Sequence, residues 1–152
     1  MNHPRTHRSA SHRLLLAAPL LVLALLLTVP PVQAAPKGQA EAAQKSALAW
    51  LALLDRGDYE ASWKESGAYF QGAMAAKEWT RLISGVRGPL GKVLSRKLAT
   101  SEVRQTMPGA PDGQYYLLMF KSSFENKKSA EERVTLILEP KRGWRVVGYV
   151  IK

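Results

Sequence analysis

The sequence predicts an α+β domain in which N-terminal helices pack on a curved four-stranded antiparallel sheet. Apolar residues recur with a helical period over residues 43–86, and from Gly91 onward the period changes to that of a strand. Turn-forming stretches rich in Gly, Pro, Asn and Lys divide the alternating region into four runs. Helices followed by closely connected strands are typical of an α+β layout, with the long helix across one face of the sheet.

The first predicted helix carries one apolar stripe. Its members fall at i, i+4, i+7, i+8 and i+11: Ala43, Ala47, Trp50, Leu51 and Leu54. Gly57 follows where the backbone would enter the left-handed region. Asp58 is expected to be the N-cap of a short second helix, in which Tyr59 and Trp63 stack at i and i+4. Arg56-Gly57-Asp58 is therefore interpreted as a junction between helices, because an adhesion signal would need an exposed, extended loop.

A third helix is predicted after Gln71-Gly72. It repeats the spacing of the first stripe with Ala75, Trp79, Leu82, Ile83 and Val86. Gly85, Gly88 and Pro89 are expected to end it.

The four predicted strands are residues 92–104, 114–124, 132–139 and 144–151. The second run is apolar on both faces, which is typical of a central strand. Tyr115, Leu117 and Met119 would form its exposed face. The fourth strand is expected to alternate with Trp144, Val146, Gly148 and Val150 on one face.

An export signal is predicted at the N-terminus. A basic stretch without acids precedes an apolar run at residues 14–29, which is too short to span a bilayer comfortably. Val32 and Ala34 suit the peptidase, so residues 1–34 are expected to be a signal peptide removed from a secreted, periplasmic protein. The alternative is an uncleaved inner-membrane anchor, in which case the protein would meet the membrane only through this segment. Residues 35–40 would then be a flexible lead-in, and residues 41–152 a single domain.

The chain is basic, with 22 Lys plus Arg against 12 Asp plus Glu. Lys127 and Lys128 lie in one predicted turn, and Lys141 and Arg142 lie in the next. Successive turns of a meander lie at opposite ends of the sheet, so these charges are interpreted as a solvated surface. No nucleic-acid binding is expected, whereas weak attraction to anionic envelope polymers stays open.

Two residue types needed for common catalytic sites are missing. The chain contains no Cys, and its 3 His all lie in the predicted signal segment. Thiol chemistry, Ser-His-Asp catalysis and zinc sites built on His are therefore excluded for the mature domain. Glu131 and Glu132 are neighbours on a strand and point to opposite faces, so they are not the facing pair of a glycosidase. Asp55 and Asp58 are explained by the helix junction. We expect no catalytic residue, metal or cofactor.

Arg96 and Glu132 are the leading candidate binding residues. Arg96 lies between Leu94 and Leu98 on one face of the first strand, where a charge is costly unless it is paired. Glu132 begins the apolar face of the third strand, so an Arg96–Glu132 ion pair would satisfy both. The alternative is an Arg96 that holds an anion at the mouth of a pocket.

Four further residues complete the candidate pocket. Arg87 is expected to cap helix carbonyls at the helix-to-strand junction or to serve as a second anion-binding arginine. Tyr59 and Trp63 would pack in the core or line the pocket. Tyr116 joins Arg96 and Glu132 in an enzyme hypothesis, in which these three groups carry out proton transfer or isomerisation.

The sequence also resembles the bacterial family called domain of unknown function 4019 over nearly the whole mature chain. The matching elements are W-L-x-L-L-D-x-G-x-Y-x-x-S-W (Trp50 to Trp63), E-W (Glu78-Trp79), R-G-P-L-G (Arg87 to Gly91), S-R (Ser95-Arg96), P-D-G-x-Y (Pro111 to Tyr115), S-F-x-N-K (Ser123 to Lys127), the E-E pair and W-x-V-x-G-Y-x-I (Trp144 to Ile151). The layout is similar to the cystatin-like or nuclear-transport-factor-2-like cone. The resemblance implies a small exported bacterial domain, and that cone hosts both enzymes and interaction modules.

Three functional hypotheses follow. The first is an exported, non-catalytic module that binds an unknown small ligand or an envelope protein. The second is the cone-fold enzyme using Arg96, Tyr116 and Glu132. The third is a structural homodimer that packs the exposed Tyr115, Leu117 and Met119 face against a second copy.

Overall fold

The computed structural model describes residues 37–152 and confirms the α+β class, with helices followed by a four-stranded antiparallel sheet. The elements are α1 (Lys37–Asp55), α2 (Tyr59–Lys64), α3 (Ala68–Ala73), α4 (Ala76–Arg87), a 3-10 turn (Gly88–Leu90), β1 (Val93–Arg104), β2 (Tyr115–Phe124), β3 (Ala130–Glu139) and β4 (Gly143–Ile151). The predicted signal peptide lies outside the described residues. None of the helices in the described part is long and apolar enough to cross a membrane.

The sheet is an antiparallel meander in the order β1-β2-β3-β4, and its strands begin and end within two residues of the predicted runs. β2 is a central strand, as predicted. Its inner face buries Tyr116, Leu118 and Phe120 against the helices, while its outer face carries Leu117 and Met119. The finer expectation of a cystatin-like or nuclear-transport-factor-2-like cone stays a prediction.

α1 buries the whole predicted stripe, because each of its five members is at most 3% exposed. The helix begins at Lys37, so the lead-in predicted for residues 35–40 is wrong from Lys37 onward. Lys, Gln and Ala favour helix, and Ala40 continues the stripe one turn before Ala43 and packs against the core.

Arg56-Gly57-Asp58 lies in a tight junction between α1 and α2. Gly57 has φ +79°, the left-handed conformation predicted for it. Asp58 occupies the N-cap position, but its side chain makes no capping hydrogen bond, and this part of the prediction is wrong. Its carboxylate instead accepts a hydrogen bond from Arg56 Nε at 3.1 Å, and its carbonyl accepts the N–H of Ser62 at 2.9 Å.

The prediction for the helical region fails in two places. α3 forms where the sequence analysis assigned no element, and it buries Phe70 against the core. On α4 the buried face runs through Trp79, Ile83 and Arg87 at i, i+4 and i+8, whereas Leu82 and Val86 are 43% and 39% exposed. The buried face of α4 is therefore rotated relative to the predicted stripe, and a charged residue, Arg87, occupies its last core position.

β4 contains a bulge that reverses its alternation. Thr135 pairs with Gly148 and Leu136 pairs with Val146, which leaves Val147 as an extra residue. Beyond the bulge Tyr149 turns toward the core, and Val150 is 50% exposed. The predicted alternation is thus wrong beyond residue 146.

The outer face of β2 is less open than predicted. Tyr115 is 1% exposed, and its hydroxyl donates a hydrogen bond to the carbonyl of Pro111 in the loop before β2. Leu117 and Met119 are half-buried. The prediction that Tyr115 belongs to an exposed apolar face is therefore wrong. The homodimer that would use this face stays a prediction.

Candidate functional site

Six polar side chains meet on the inner face of the sheet, one from each of six elements. They come from α1, α4 and the four strands: Asp55, Arg87, Arg96, Ser122, Glu132 and Tyr149. We call this set the buried ion network. Its members bring two positive and two negative charges together, so the charges of the network balance.

Glu132 is the centre of the network and is 0% exposed. Its Oε2 accepts Arg96 Nε at 2.6 Å and the hydroxyl of Ser122. Its Oε1 accepts Arg87 Nη1 at 2.9 Å, the Tyr149 hydroxyl at 2.8 Å and Arg96 Nη2 at 3.1 Å. Both carboxylate oxygens are therefore fully engaged by groups of the protein itself.

Asp55, the last residue of α1, is the second anion. Its Oδ2 accepts Arg96 Nη1 at 2.7 Å, and its Oδ1 accepts Arg96 Nη2 at 3.0 Å and Arg87 Nη2. Each arginine thus bridges both carboxylates, and the network joins the ends of two helices to the sheet. The side chain of Asp55 is 18% exposed, against 3% for Arg87 and 10% for Arg96, so the network meets solvent mainly at this residue.

Aromatic rings enclose the network. The guanidinium carbon of Arg87 lies 4.6 Å from the centre of the Phe124 ring, within the range of a cation–π contact. The ring centres of Trp50 and Tyr149 are 5.6 Å apart. These contacts exclude water, which strengthens the attraction between the charges inside.

The environment shifts the pKa values of Arg96 and Tyr149. Burial alone would lower the pKa of the Arg96 guanidinium, but hydrogen bonds to Asp55 and Glu132 and the charges of both outweigh it, so the pKa is raised. Burial, followed by the nearby charge of Glu132, raises the pKa of the Tyr149 phenol. Arg96 stays charged and Tyr149 stays a hydrogen-bond donor at neutral pH.

The structure brings together three of the six predicted pocket residues. The Arg96–Glu132 ion pair forms as predicted. Arg87 joins it, so the prediction that Arg87 caps helix carbonyls is wrong: its guanidinium reaches Asp55 and Glu132 because α4 ends beside them.

Tyr116 does not join the network. Glu132 pairs with Phe120, four residues along β2 from Tyr116, which separates the two by about 13 Å of strand. The Tyr116 ring packs edge-on against Trp144 with ring centres 4.9 Å apart. Its buried hydroxyl has no hydrogen-bond partner among the described residues, and burial raises its pKa.

Tyr59 and Trp63 on α2 are half-buried and pack against the core. The indole N–H of Trp63 donates to the Met74 carbonyl at 2.7 Å, so its polar atom has a partner within the domain. Neither residue bonds to the network. Of the two predicted alternatives, core packing and pocket lining, both residues fit core packing.

Sequence reasoning missed Asp55, Ser122 and Tyr149. Asp55 follows Ala47 and Leu51 at helical spacing, so it lies on the buried face of α1 and could have been found from that spacing. Tyr149 was hidden by the β4 bulge, which strand periodicity does not reveal.

A separate hollow of about 360 Å³ lies between α1 and β4. Its apolar lining includes Trp50, Leu53, Trp144 and Val146, and we call it the α1–β4 hollow. Arg145 and Glu65 form an ion pair at its rim. In the part of the chain that the structure describes, His, Cys, Asp and Glu form no group that could hold a metal ion.

The fold and the site define a small α+β domain whose helices are tied to an antiparallel meander by a buried ion network. The chain belongs to the family described as "Protein of unknown function (DUF4019)", whose model matches residues 46–149. No curated protein matches the sequence. Five of the six network residues lie in the elements by which the sequence resembles this family: Asp55, Arg87, Arg96, Glu132 and Tyr149.

Proposed function

We propose that this protein is an exported, non-catalytic module that binds an envelope protein or a small ligand through its surface. The observation that supports this most strongly is the bonding of Arg96 and Glu132 to each other within a buried, charge-balanced network. An anion pocket or a proton-transfer site would need at least one of these two groups free to meet a ligand.

The hydrogen-bond capacity of Glu132 supports a structural role. A carboxylate offers about four lone-pair sites, and Glu132 accepts from Arg87, Arg96, Ser122 and Tyr149. No acceptor position is left for a substrate. The network instead fixes the ends of α1 and α4 on the sheet, which gives the domain a rigid surface.

The enzyme hypothesis has weaker support. It needs Arg96, Tyr116 and Glu132 in one place, and strand register separates Tyr116 from Glu132. Within residues 37–152, the Tyr116 hydroxyl also has no hydrogen bond to a base of the kind that proton transfer would use.

The α1–β4 hollow favours the small-ligand form of the module. Its volume falls within the range of small-molecule sites, roughly 300–1,000 Å³. Two largely buried tryptophans, Trp50 and Trp144, form part of its lining, and ion-paired charges lie at its rim. This is the common chemistry of a site for an apolar or aromatic small molecule.

Native mass spectrometry of the protein purified from its own envelope tests this proposal. Three variants accompany the wild type: Arg96→Met in the network, Ala49→Leu in the hollow and Ala42→Leu as a matched control elsewhere on α1. A bound mass lost only in Ala49→Leu supports a small ligand in the hollow, and a bare protein that cross-links to an envelope protein supports the partner form. A bound mass lost only in a folded Arg96→Met variant would overturn the structural role of the network.

Export has its own test. N-terminal sequencing of the protein from the envelope fraction is expected to begin at Ala35. A protein confined to the cytoplasm would contradict the export part of the proposal and leave the binding part to be tested separately.

A further inference from the structure

A basic groove lies beside the turn between β2 and β3, and it is lined mainly by residues of the outer face of the sheet and also by Ser122 of the buried ion network. Its volume is about 560 Å³. Its lining residues come from β1, β2, the turn between β2 and β3, the start of β3, and Lys152 just after β4. Five lysines and several serines line it, among them Lys97, Lys121, Lys127, Lys128, Lys152, Ser95, Ser123 and Ser129. We call it the lysine groove. Lys127 and Lys128, interpreted from the sequence as part of a solvated surface, line this groove together with three more lysines that the sheet places beside them.

Strand pairing sets the lysines side by side. Lys97 on β1 lies directly opposite Lys121 on β2, and Lys121 lies opposite Glu131 on β3. Like charges directly opposite each other destabilise an antiparallel pair. The Lys121–Glu131 pair offsets this cost only in part, because Glu131 is also bound by Arg133. A local arrangement that opposes stability is expected mainly at functional sites.

Little negative charge offsets this groove. Its acidic lining residue, Glu131, is bound by Arg133 with Nε to Oε1 at 2.6 Å. Within residues 37–152, none of the five lysines forms a salt bridge. Residues 1–36 contain no Asp or Glu that could neutralise them. The groove thus presents a net positive potential.

We propose that the lysine groove binds a ligand that carries two or more phosphate groups. Lysine ammonium groups bind phosphate as point charges, and the hydroxyls of Ser95 and Ser123, which lie directly opposite each other, can donate to the same oxygens. The groove is wider than one phosphate needs, and its charges span β1, β2 and the following turn. A ligand with several phosphates engages them together, whether it is a phosphorylated lipid headgroup or a free oligophosphate.

A single-stranded nucleic acid fits this groove less well. Proteins that bind single strands combine positive charge with aromatic rings on which bases stack. Among the residues that the structure describes, no aromatic side chain lines the lysine groove. The proposal goes beyond the binding function above, because it places a ligand in a second site outside the α1–β4 hollow that does not use Arg96 or Glu132.

The test compares the wild-type protein with two double variants of equal charge. Lys97→Gln/Lys121→Gln removes the opposed pair, and Lys45→Gln/Lys77→Gln removes two exposed lysines from α1 and α4. Binding is measured to inorganic tripolyphosphate by calorimetry, and by flotation to phosphatidylcholine vesicles with and without cardiolipin, a lipid whose headgroup carries two phosphates. Circular dichroism confirms that both variants are folded.

The groove variant is expected to bind at least about tenfold more weakly than the wild type, with a much smaller loss in the control. Such a loss with tripolyphosphate supports a free phosphate source, and one seen only with cardiolipin vesicles supports a lipid headgroup. Equal binding by both variants, no binding to either probe, or tighter binding to an oligonucleotide would overturn the proposal. Because the groove variant keeps Arg96 and Glu132, its result is independent of the native mass spectrometry result.

Discussion

Arg96 and Glu132 form a two-point ion pair, with Nε to Oε2 at 2.6 Å and Nη2 to Oε1 at 3.1 Å, in which the carboxylate is 0% exposed. A buried ion pair gains little over an apolar core of the same shape, but removal of one partner leaves an uncompensated charge. The pair therefore makes the stability of the domain sensitive to single substitutions.

Arg96→Met is expected to lower the free energy of unfolding by about 3–5 kcal/mol, because it leaves Asp55 and Glu132 with one cation between them. Urea unfolding followed by tryptophan fluorescence measures the loss. Arg104→Met is the matched control: its salt bridge to Glu102 is half-exposed, and its loss is expected to cost less than about 1 kcal/mol. Similar losses for the two variants would contradict the role assigned to Arg96.

Tyr149→Phe and Tyr116→Phe are expected to differ although they remove the same atom. The Tyr149 hydroxyl donates to Glu132 and accepts from Arg87, so its removal costs about 1–2 kcal/mol. The Tyr116 hydroxyl has no partner among the described residues, so its removal is expected to be neutral or stabilising. Thermal unfolding measures the stability of both variants. A larger loss of stability in Tyr116→Phe than in Tyr149→Phe would contradict the hydrogen bonds assigned to the two hydroxyls.

Alkaline pH is expected to weaken the fold through Tyr149. Its pKa is raised in the folded protein, so the unfolded chain loses this proton first, near the ordinary tyrosine pKa of about 10. The contribution of Tyr149 is fully present below that pH and declines as pH rises toward the raised value. The stability difference between the wild type and Tyr149→Phe should therefore shrink above about pH 10, and a difference that stays constant would argue against the raised pKa.

Gly57→Ala is expected to destabilise the α1–α2 junction by about 1–2 kcal/mol, since φ +79° places an added Cβ in a strained conformation. Gly72→Ala is the control. Gly72 lies inside α3 with open space around it, so Gly72→Ala is expected to raise the free energy of unfolding by up to about 1 kcal/mol. Chemical unfolding that gave both substitutions the same sign would contradict the left-handed turn.

The sequence predicted the fold class because each element has one face that must be buried. The apolar stripe of α1 and the four strands could be predicted from the spacing of the residues on these buried faces. Arg96 and Glu132 could be paired from sequence because both charges stood on apolar faces. Arg87 and Tyr149 could not be placed, because the rotation of α4 and the β4 bulge at Val147 depend on contacts made only in the assembled domain.

The buried ion network also constrains the order in which native structure can form. Arg87 and Tyr149 are 62 residues apart in the chain, and the second of them stands on the last strand. Contacts between distant segments form slowly because a long loop must close first. A chain that emerges N-terminus first therefore carries Arg87 and Arg96 without the carboxylate of Glu132 until β3 arrives, and Glu132 then lacks the Tyr149 hydroxyl until β4 arrives. Completion of the buried ion network therefore waits for the last of the four strands, and the helices that it ties to the sheet become fixed only then.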